Sequence, residues 1–292
     1  MTKPGVILIT TLLILIVMSV ISMQVSKNFY VSLQREAYLD FKNQSYHMLI
    51  NSEKQVIRNL QKEAKVRQFK LTLSDSILKN KFYYQNDLMQ IEIDISDASN
   101  CFNLNSLFNK SSNTFKVRPA YRDWLIRFLE LKSLSTVNIQ SFIDQLVDWV
   151  DQDNQPLNFG AENYFYIGPA SQTQQFTPKR LLVDLSEIQN FPIMQTLDFT
   201  EITSGLCVIP GSTKHLLNIN TLISEDVLLV ASFFNETNLE FTESQIFNLP
   251  KNGYDDVRVF ARYFSQSANY PPEVLSINSQ TFSLEGIIIN EN

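Results

Sequence analysis

Apolar positions run without interruption from Val6 to Met23, VILITTLLILIVMSVISM, with no charge and nothing more polar than Thr and Ser. As a helix this stretch rises about 27 Å, close to the ~30 Å hydrocarbon thickness of a bilayer, so it predicts a membrane span. Beyond it the pattern stays helical but becomes amphipathic. Leu33, Ala37, Phe41, Met48, Val56 and Leu60 share roughly one face, while Lys27, Arg35, Lys42, Lys54, Arg58 and Lys62 occupy others. Neither Gly nor Pro occurs between Gly5 and Pro119, so no breaker interrupts the helix. The expectation is one long helix, half in lipid and half in water.

From Phe82 the period changes to two: Met89, Ile91, Ile93 and Ile95 alternate with Gln90, Glu92, Asp94 and Ser96, the signature of a strand with one buried face. Cys101 to Leu107, CFNLNSL, reads as the next strand or its closing turn. Phe282, Leu284, Gly286 and Ile288 repeat the alternation and predict a final strand. Between Pro119 and Phe264 the signals are helical instead: AYRDWLIRFLELK, VNIQSFIDQLVDWVDQD, PKRLLVDLSEIQNF, SEDVLLVASFFN and DDVRVFARYF, several opening on Ser, Asp or Pro in cap-like positions. The predicted class is α+β, a long N-terminal transmembrane helix followed by an antiparallel sheet that a large all-α insert interrupts.

Charge narrows the function. Asp and Glu number 30 against 24 Lys and Arg in 292 residues, which disfavours a whole-protein role on nucleic acid, where a basic surface is required. The segment from Leu181 to Leu217 has the look of helical hairpins, but Gly205 and Lys214 are too little to hold a phosphate backbone. Only His47 and His215 are present, and no GxSxG, HExxH or P-loop occurs, so the sequence offers no familiar catalytic set. Lys3 precedes the apolar segment and the first acid after it is Glu36, which orients the N-terminus toward the cytoplasm and the rest toward the periplasm. The bland alternatives are a cleaved secretory signal, for which SMQVSKNFY lacks a small-x-small site, and an uncleaved anchor.

The densest chemistry lies in DWVDQDNQPLNFGAENYFY, Asp148 to Tyr166, where four carboxylates surround a Pro and Gly turn at the end of an apolar helix. Asp151, Asp153 and Glu162 stand at the first, third and twelfth positions of an EF-hand spacing, where hard oxygen ligands for Ca²⁺ belong. The motif then fails: Gln155 fills the fifth position, and Pro156 replaces the Gly of the sixth. Asp151, Asp153, Asn154, Gln155, Glu162 and Asn163 still offer enough oxygens for a hard cation. The plain alternative is a solvated acidic loop, although acids at a helix C-terminus oppose its dipole and need compensation.

Several segments, in the same order from Gly5 to the C-terminal end, resemble protein K of the type II secretion system, the largest minor pseudopilin. They are the apolar start GVILITTLLILIV, the CFNLNSL segment, the acidic loop with FGAEN, LLNINTLISEDVLLVA and PPEVLSINSQTFSLEGII. The resemblance implies a prepilin-type leader at residues 1–5, cut by prepilin peptidase between Gly5 and Val6, and a membrane part of a spine helix at 6–24. It further implies the amphipathic spine helix and first strands of a pilin-like head at 25–117, an inserted helical domain at 118–265 and a terminal strand of the head at 266–292. The spine would present Thr10, Leu33 and Phe41 to neighbouring subunits. Thr10 stands fifth after Gly5, where major pilins carry Glu; a subunit with nothing above it has no need of that carboxylate.

By the same resemblance the chain is expected to be a non-enzymatic protein of the bacterial inner membrane. It would cap the tip of the secretion pseudopilus with minor pseudopilins I and J, above the major pseudopilin, and start or limit pseudopilus assembly. A pair of Ca²⁺ sites near the acidic loop is implied, with Asp151, Asp153, Glu162 and Asn163 as ligands. Cys101 and Cys207 then both face the periplasm beside family-like segments, which suggests a disulfide between sheet and insert; two buried thiols are the alternative. A minor pilin of a type IV pilus, or a membrane-anchored periplasmic Ca²⁺-binding adaptor, would share the leader or the loop. The tail departs from the family pattern, ending soon after its last strand where one more is expected.

Overall fold

The computed structural model describes residues 4–66, 70–85, 90–111, 114–169, 174–264, 271–279 and 281–289. Residues fall into two compact units. The first comprises Met1–Ala64, Lys81–Ile93 and Glu285–Asn292, and the second Lys65–Asn80 and Asp94–Leu284.

In the first unit a single helix, α1 (Pro4–Val66), runs for 63 residues, about 95 Å at 1.5 Å per residue. It is the one helix among the described residues long and apolar enough to cross a membrane. The hydroxyls along it are turned back onto its own backbone: Thr11 donates to the Leu8 carbonyl (2.9 Å), Ser19 to Leu15 (2.8 Å) and Ser32 to Asn28 (2.9 Å). That removes the cost of placing a free hydroxyl in lipid. Leu8 through Met23 are exposed, whereas Ser45, Ser52 and Val56, spaced seven and four apart, are buried on one face. The long helix expected from the absence of breakers is thus present, with its buried stripe confined to its second half.

The sheet that accompanies it has the order β1-β2-β9, from β1 (Phe82–Gln85), β2 (Gln90–Asp97) and β9 (Phe282–Ile289). β1 and β2 are antiparallel, Phe82 opposite Ile93 and Gln85 opposite Gln90. Ile91, Ile93 and Ile95 are the buried set of β2, as the alternation requires; Met89, read as the first member of that set, lies outside the described residues. A Cβ at Gly286 in β9 would meet Leu49 of α1 at 3.0 Å, so the strand and helix are in close van der Waals contact.

The second unit is mainly helical. Its larger helices are α3 (Pro119–Leu131), α4 (Thr136–Val150), α7 (Val227–Phe234) and α8 (Leu239–Phe247), following a one-turn α2 (Ser76–Lys79). Short helical turns α5 (Asn163–Tyr166), α6 (Phe199–Thr203) and α9 (Val257–Ala261) fill the connections. Pro119 begins α3, where its missing N–H costs nothing, and the Ser135 hydroxyl accepts from Asn138 N–H to cap α4. Trp124 of α3 is the centre of the core, edge-on to Phe102 (4.7 Å between centroids), Phe233 (4.9 Å) and His215 (5.0 Å), with its indole N–H donated to the Ser232 hydroxyl at 3.0 Å. The α+β class is borne out.

Two local departures refine it. PKRLLVDLSEIQNF, expected as a helix, forms only a 3-10 stretch at Leu185–Asn190, opened by a capping box from Asp184 and Glu187. Within the helical segment lie two-residue strands, β6 (Leu206–Cys207) and β7 (Leu217–Asn218). They pair in parallel with β3 (Phe102–Asn103) and β8 (Leu275–Ser276). CFNLNSL is both of the things expected of it: β3, then a 3-10 turn at Leu104–Leu107, leading to the hairpin of β4 (Phe108–Ser111) and β5 (Thr114–Val117).

Candidate functional site

The acidic segment begins inside α4. Asp144, Asp148 and Asp151 follow at intervals of four and three, so they project from adjacent turns on one side of the helix. The chain after the helix folds back over this row and is stitched to it. Asp144 accepts from Phe159 N–H (3.2 Å) and Gln140 Nε2 (2.6 Å), and Asp148 accepts from Leu157 N–H with both oxygens (3.3 and 3.2 Å). Gln145 clamps the loop from the same helix, donating to the Phe159 carbonyl (3.0 Å) and accepting from Ile193 N–H (3.0 Å). The return is possible because residue 160 is Gly: a Cβ there would lie 1.9 Å from Asp148 Oδ2.

Past the turn, three carboxylates converge. One oxygen each from Asp151, Asp153 and Glu162 can be chosen so that all lie within 4.8 Å of one another. Asp151 ends α4, Asp153 accepts from Gln155 N–H at 2.8 Å in an Asx turn, and Glu162 accepts from Asn163 N–H at 3.3 Å to open α5. Glu162 is 1% exposed. Its Oε1 and Asp151 Oδ1 are buried without a hydrogen-bond partner, an arrangement that costs free energy unless a cation completes it. Burial, with Asp153 and Glu162 adding like charge, pushes Asp151 up to about 6. Burial also pushes Asp148 up to about 7, against the Leu157 hydrogen bond and with Asp151, Glu162 and Asp144 adding to the rise. The hydroxyl of Tyr166 is buried beneath the cluster without a partner, its pKa raised by burial, Asp148 and Glu162. Hard oxygen donors, crowded and under-satisfied, suit a hard divalent ion.

Asn163, expected as a fourth ligand, is used differently. Its amide oxygen accepts from both the N–H (2.7 Å) and hydroxyl (2.9 Å) of Thr177, which takes both lone pairs, and its Nδ2 donates to Asn154 Oδ1 at 3.3 Å. It buttresses the loop and has no oxygen lone pair left for an ion. Sequence reasoning missed Lys179, whose ammonium lies 3.1 Å from Glu162 Oε2; nothing in the PKR triplet around it distinguishes it from a surface lysine.

The other expected residues lie apart from this cluster. Gly5 and Val6 are in the first turn of α1, and Thr10, Leu33 and Phe41 follow along it, all three exposed. Cys101 and Cys207 are joined in a disulfide, Cα to Cα 5.7 Å, alongside the β3–β6 pair.

Residues 100–211, which contain β3, the acidic loop and both cysteines, match the family model for protein K of the type II secretion system. Over this part the chain is similar to type II secretion system protein K. It is 23% identical over 232 residues to a putative protein K of Escherichia coli K12, spanning 79% of this chain and 69% of that one. The Klebsiella pneumoniae protein K is 29% identical over 145 residues, 50% of this chain and 44% of the relative. That of Pectobacterium carotovorum is 28% identical over 195 residues, 64% and 58% respectively. In fold, the chain resembles one in the crystal structure of the GspK–GspI–GspJ complex from the type 2 secretion system of enterotoxigenic E. coli. The TM-score is 0.72 at 20% identity, over 88% of this chain and 89% of that one. The resemblance expected from the sequence is borne out.

Proposed function

We propose that the chain is a non-enzymatic minor pseudopilin that sits at the tip of the type II secretion pseudopilus and starts or limits its assembly. The observation that carries this reading is the protein K match over residues 100–211, on a chain whose N-terminal helix is long and apolar enough for a membrane. In this reading α1 anchors the protein in the inner membrane with its N-terminus cytoplasmic, and prepilin peptidase cuts between Gly5 and Val6. Thr10, Leu33 and Phe41 of α1 pack against other spines, including the major pseudopilin. The partners are minor pseudopilins I and J, by analogy with the complex that the similar structure contains. The work is binding, so no bond is made or broken.

Ca²⁺ belongs to the same proposal. Asp151, Asp153 and Glu162 would hold it, and Asn163 and Thr177 would keep the loop in shape around it. A bound divalent ion would satisfy the buried carboxylate oxygens and offset the negative charge gathered at the C-terminal end of α4.

Intact mass of the membrane protein from cells with and without prepilin peptidase tests the reading first. Loss of residues 1–5 only where the peptidase is present is expected; an unchanged N-terminus in both strains sinks it. Co-purification with minor pseudopilins I and J, and not with the minor pilins of a type IV pilus, is the second requirement. For the cation, calorimetric titration of the full chain in detergent with Ca²⁺ should give saturable heat that Glu162→Gln abolishes.

A further inference from the structure

Lys179 is an unusual neighbour for a cation loop. Its Nζ is 3.1 Å from Glu162 Oε2, with the carboxylate side chain 1% exposed and the lysine side chain 21%. The backbone at Lys179 has φ of 50°, in the left-handed region that a residue with a Cβ rarely adopts. Something must hold it there. Two residues earlier, Thr177 is buried and fixed to Asn163 by two hydrogen bonds, and Pro178 stiffens the link between them. The segment is therefore tied down beside the acidic loop in a conformation that delivers an ammonium to Glu162.

That ammonium satisfies one oxygen of Glu162 and leaves the other, Oε1, buried and unpartnered, as Asp151 Oδ1 also is. A single positive charge on a flexible stem can neutralise part of the cluster, but its donors cannot reach all the carboxylates as a central ion would. A divalent ion among Asp151, Asp153 and Glu162 would lie within a few ångströms of Nζ, and the two cations would repel. Both cannot keep the same carboxylate comfortably.

We propose that Lys179 is a built-in counter-cation of the acidic loop: its ammonium holds Glu162 when no divalent ion is bound, and it is displaced when one binds. The inference rests on the cation reading above and adds to it a residue that sets the affinity. Lys179 keeps the loop folded at low calcium and moves the binding midpoint to higher calcium, because the ion must displace it.

The test uses the full chain in detergent, with Ca²⁺ as the ligand and Mg²⁺ as control. Lys179→Met should bind Ca²⁺ about tenfold more tightly than wild type by calorimetry, the direction that removal of a competing charge requires. Its melting temperature without calcium should fall, and the calcium-induced rise should exceed that of wild type. Lys179→Arg, which keeps the charge, should restore wild-type behaviour. On the wild-type protein, amine labelling read by mass spectrometry should show Lys179 protected without calcium and more reactive with it, an outcome independent of whether the Met variant folds. Equal or weaker calcium binding by Lys179→Met, or labelling at Lys179 that calcium leaves unchanged although calcium binds, overturns the proposal. Wild type that binds no Ca²⁺ overturns the cation reading itself, and the inference with it.

Discussion

Gly160 and Asp148 occupy space that allows no third atom: a Cβ on the glycine would fall 1.9 Å from the carboxylate oxygen and 2.6 Å from its carbon. The acidic loop can close over α4 only because the side chain there is hydrogen. Gly160→Ala should push Asp148 off Leu157 N–H and open the loop, at a cost of about 1–3 kcal/mol in the range of overpacked sites. Chemical denaturation would measure it. A variant as stable as wild type would show that the close approach is not needed.

Asn105 exchanges two hydrogen bonds with the backbone of Leu182, accepting from its N–H at 2.9 Å and donating to its carbonyl at 2.8 Å, and donates a third to the Ile209 carbonyl at 3.1 Å. Asn105 is fully buried, so Asn105→Ala would strand three backbone groups away from water. The expected loss is about 3 kcal/mol, with Leu→Met at Leu104 as a mild control for core disturbance at about 1 kcal/mol or less. Denaturant midpoints of the two variants should separate clearly.

Asp97 gathers five donors: Ser99 N–H and hydroxyl at 2.9 and 2.6 Å, Asn218 Nδ2 at 3.3 Å, and the hydroxyls of Thr221 and Ser279. An isosteric Asn would turn donors toward donors. Asp97→Asn should therefore cost about 2 kcal/mol, more than most changes of one atom, read as a fall in the denaturant midpoint.

His215 is buried among Phe102 and Trp124, its Nδ1 accepting from Asn103 N–H at 3.3 Å, and burial with the nearby Arg118 charge lowers it to about 3. Below pH 6.5 the unfolded chain takes up a proton there that the folded chain refuses, so stability falls as pH drops from about 6.5 toward 3. Asp226, raised to about 7 by burial above all, acts in the opposite sense, losing stability as pH rises from about 4 to 7. The two are separable by substitution. The stability difference between wild type and His215→Gln should shrink on acidification by about 1.4 kcal/mol per pH unit at most, since Asp226 is common to both. A difference that stays constant from pH 7 to 4 would mean that His215 titrates alike in both states.

The long elements were legible because their cause is repeated many times. The run from Val6 to Met23, the lack of Gly or Pro before Pro119 and the Ile91, Ile93, Ile95 alternation each state one preference over several residues. The convergence of Asp151, Asp153 and Glu162 was legible because spacing around a turn limits where those groups can go. The rest depended on partners distant in sequence. Asn103 and Asn218 sit in strands of two residues whose partners are over fifty residues away, too short for a period to register. Asn163 looked like a ligand until Thr177, fourteen residues on, took its oxygen, and Lys179 reached Glu162 across seventeen.

The disulfide between Cys101 and Cys207 closes a covalent ring, with 106 positions separating its two cysteines. The family match at residues 100–211 covers almost the same span, so the portion most like protein K is a circle of chain carrying two tails. A protease that nicks the acidic loop would linearise the circle without releasing a fragment, and the two pieces would part on a gel only after reduction. In an oxidising compartment the ring can lose a peptide bond and remain one molecule.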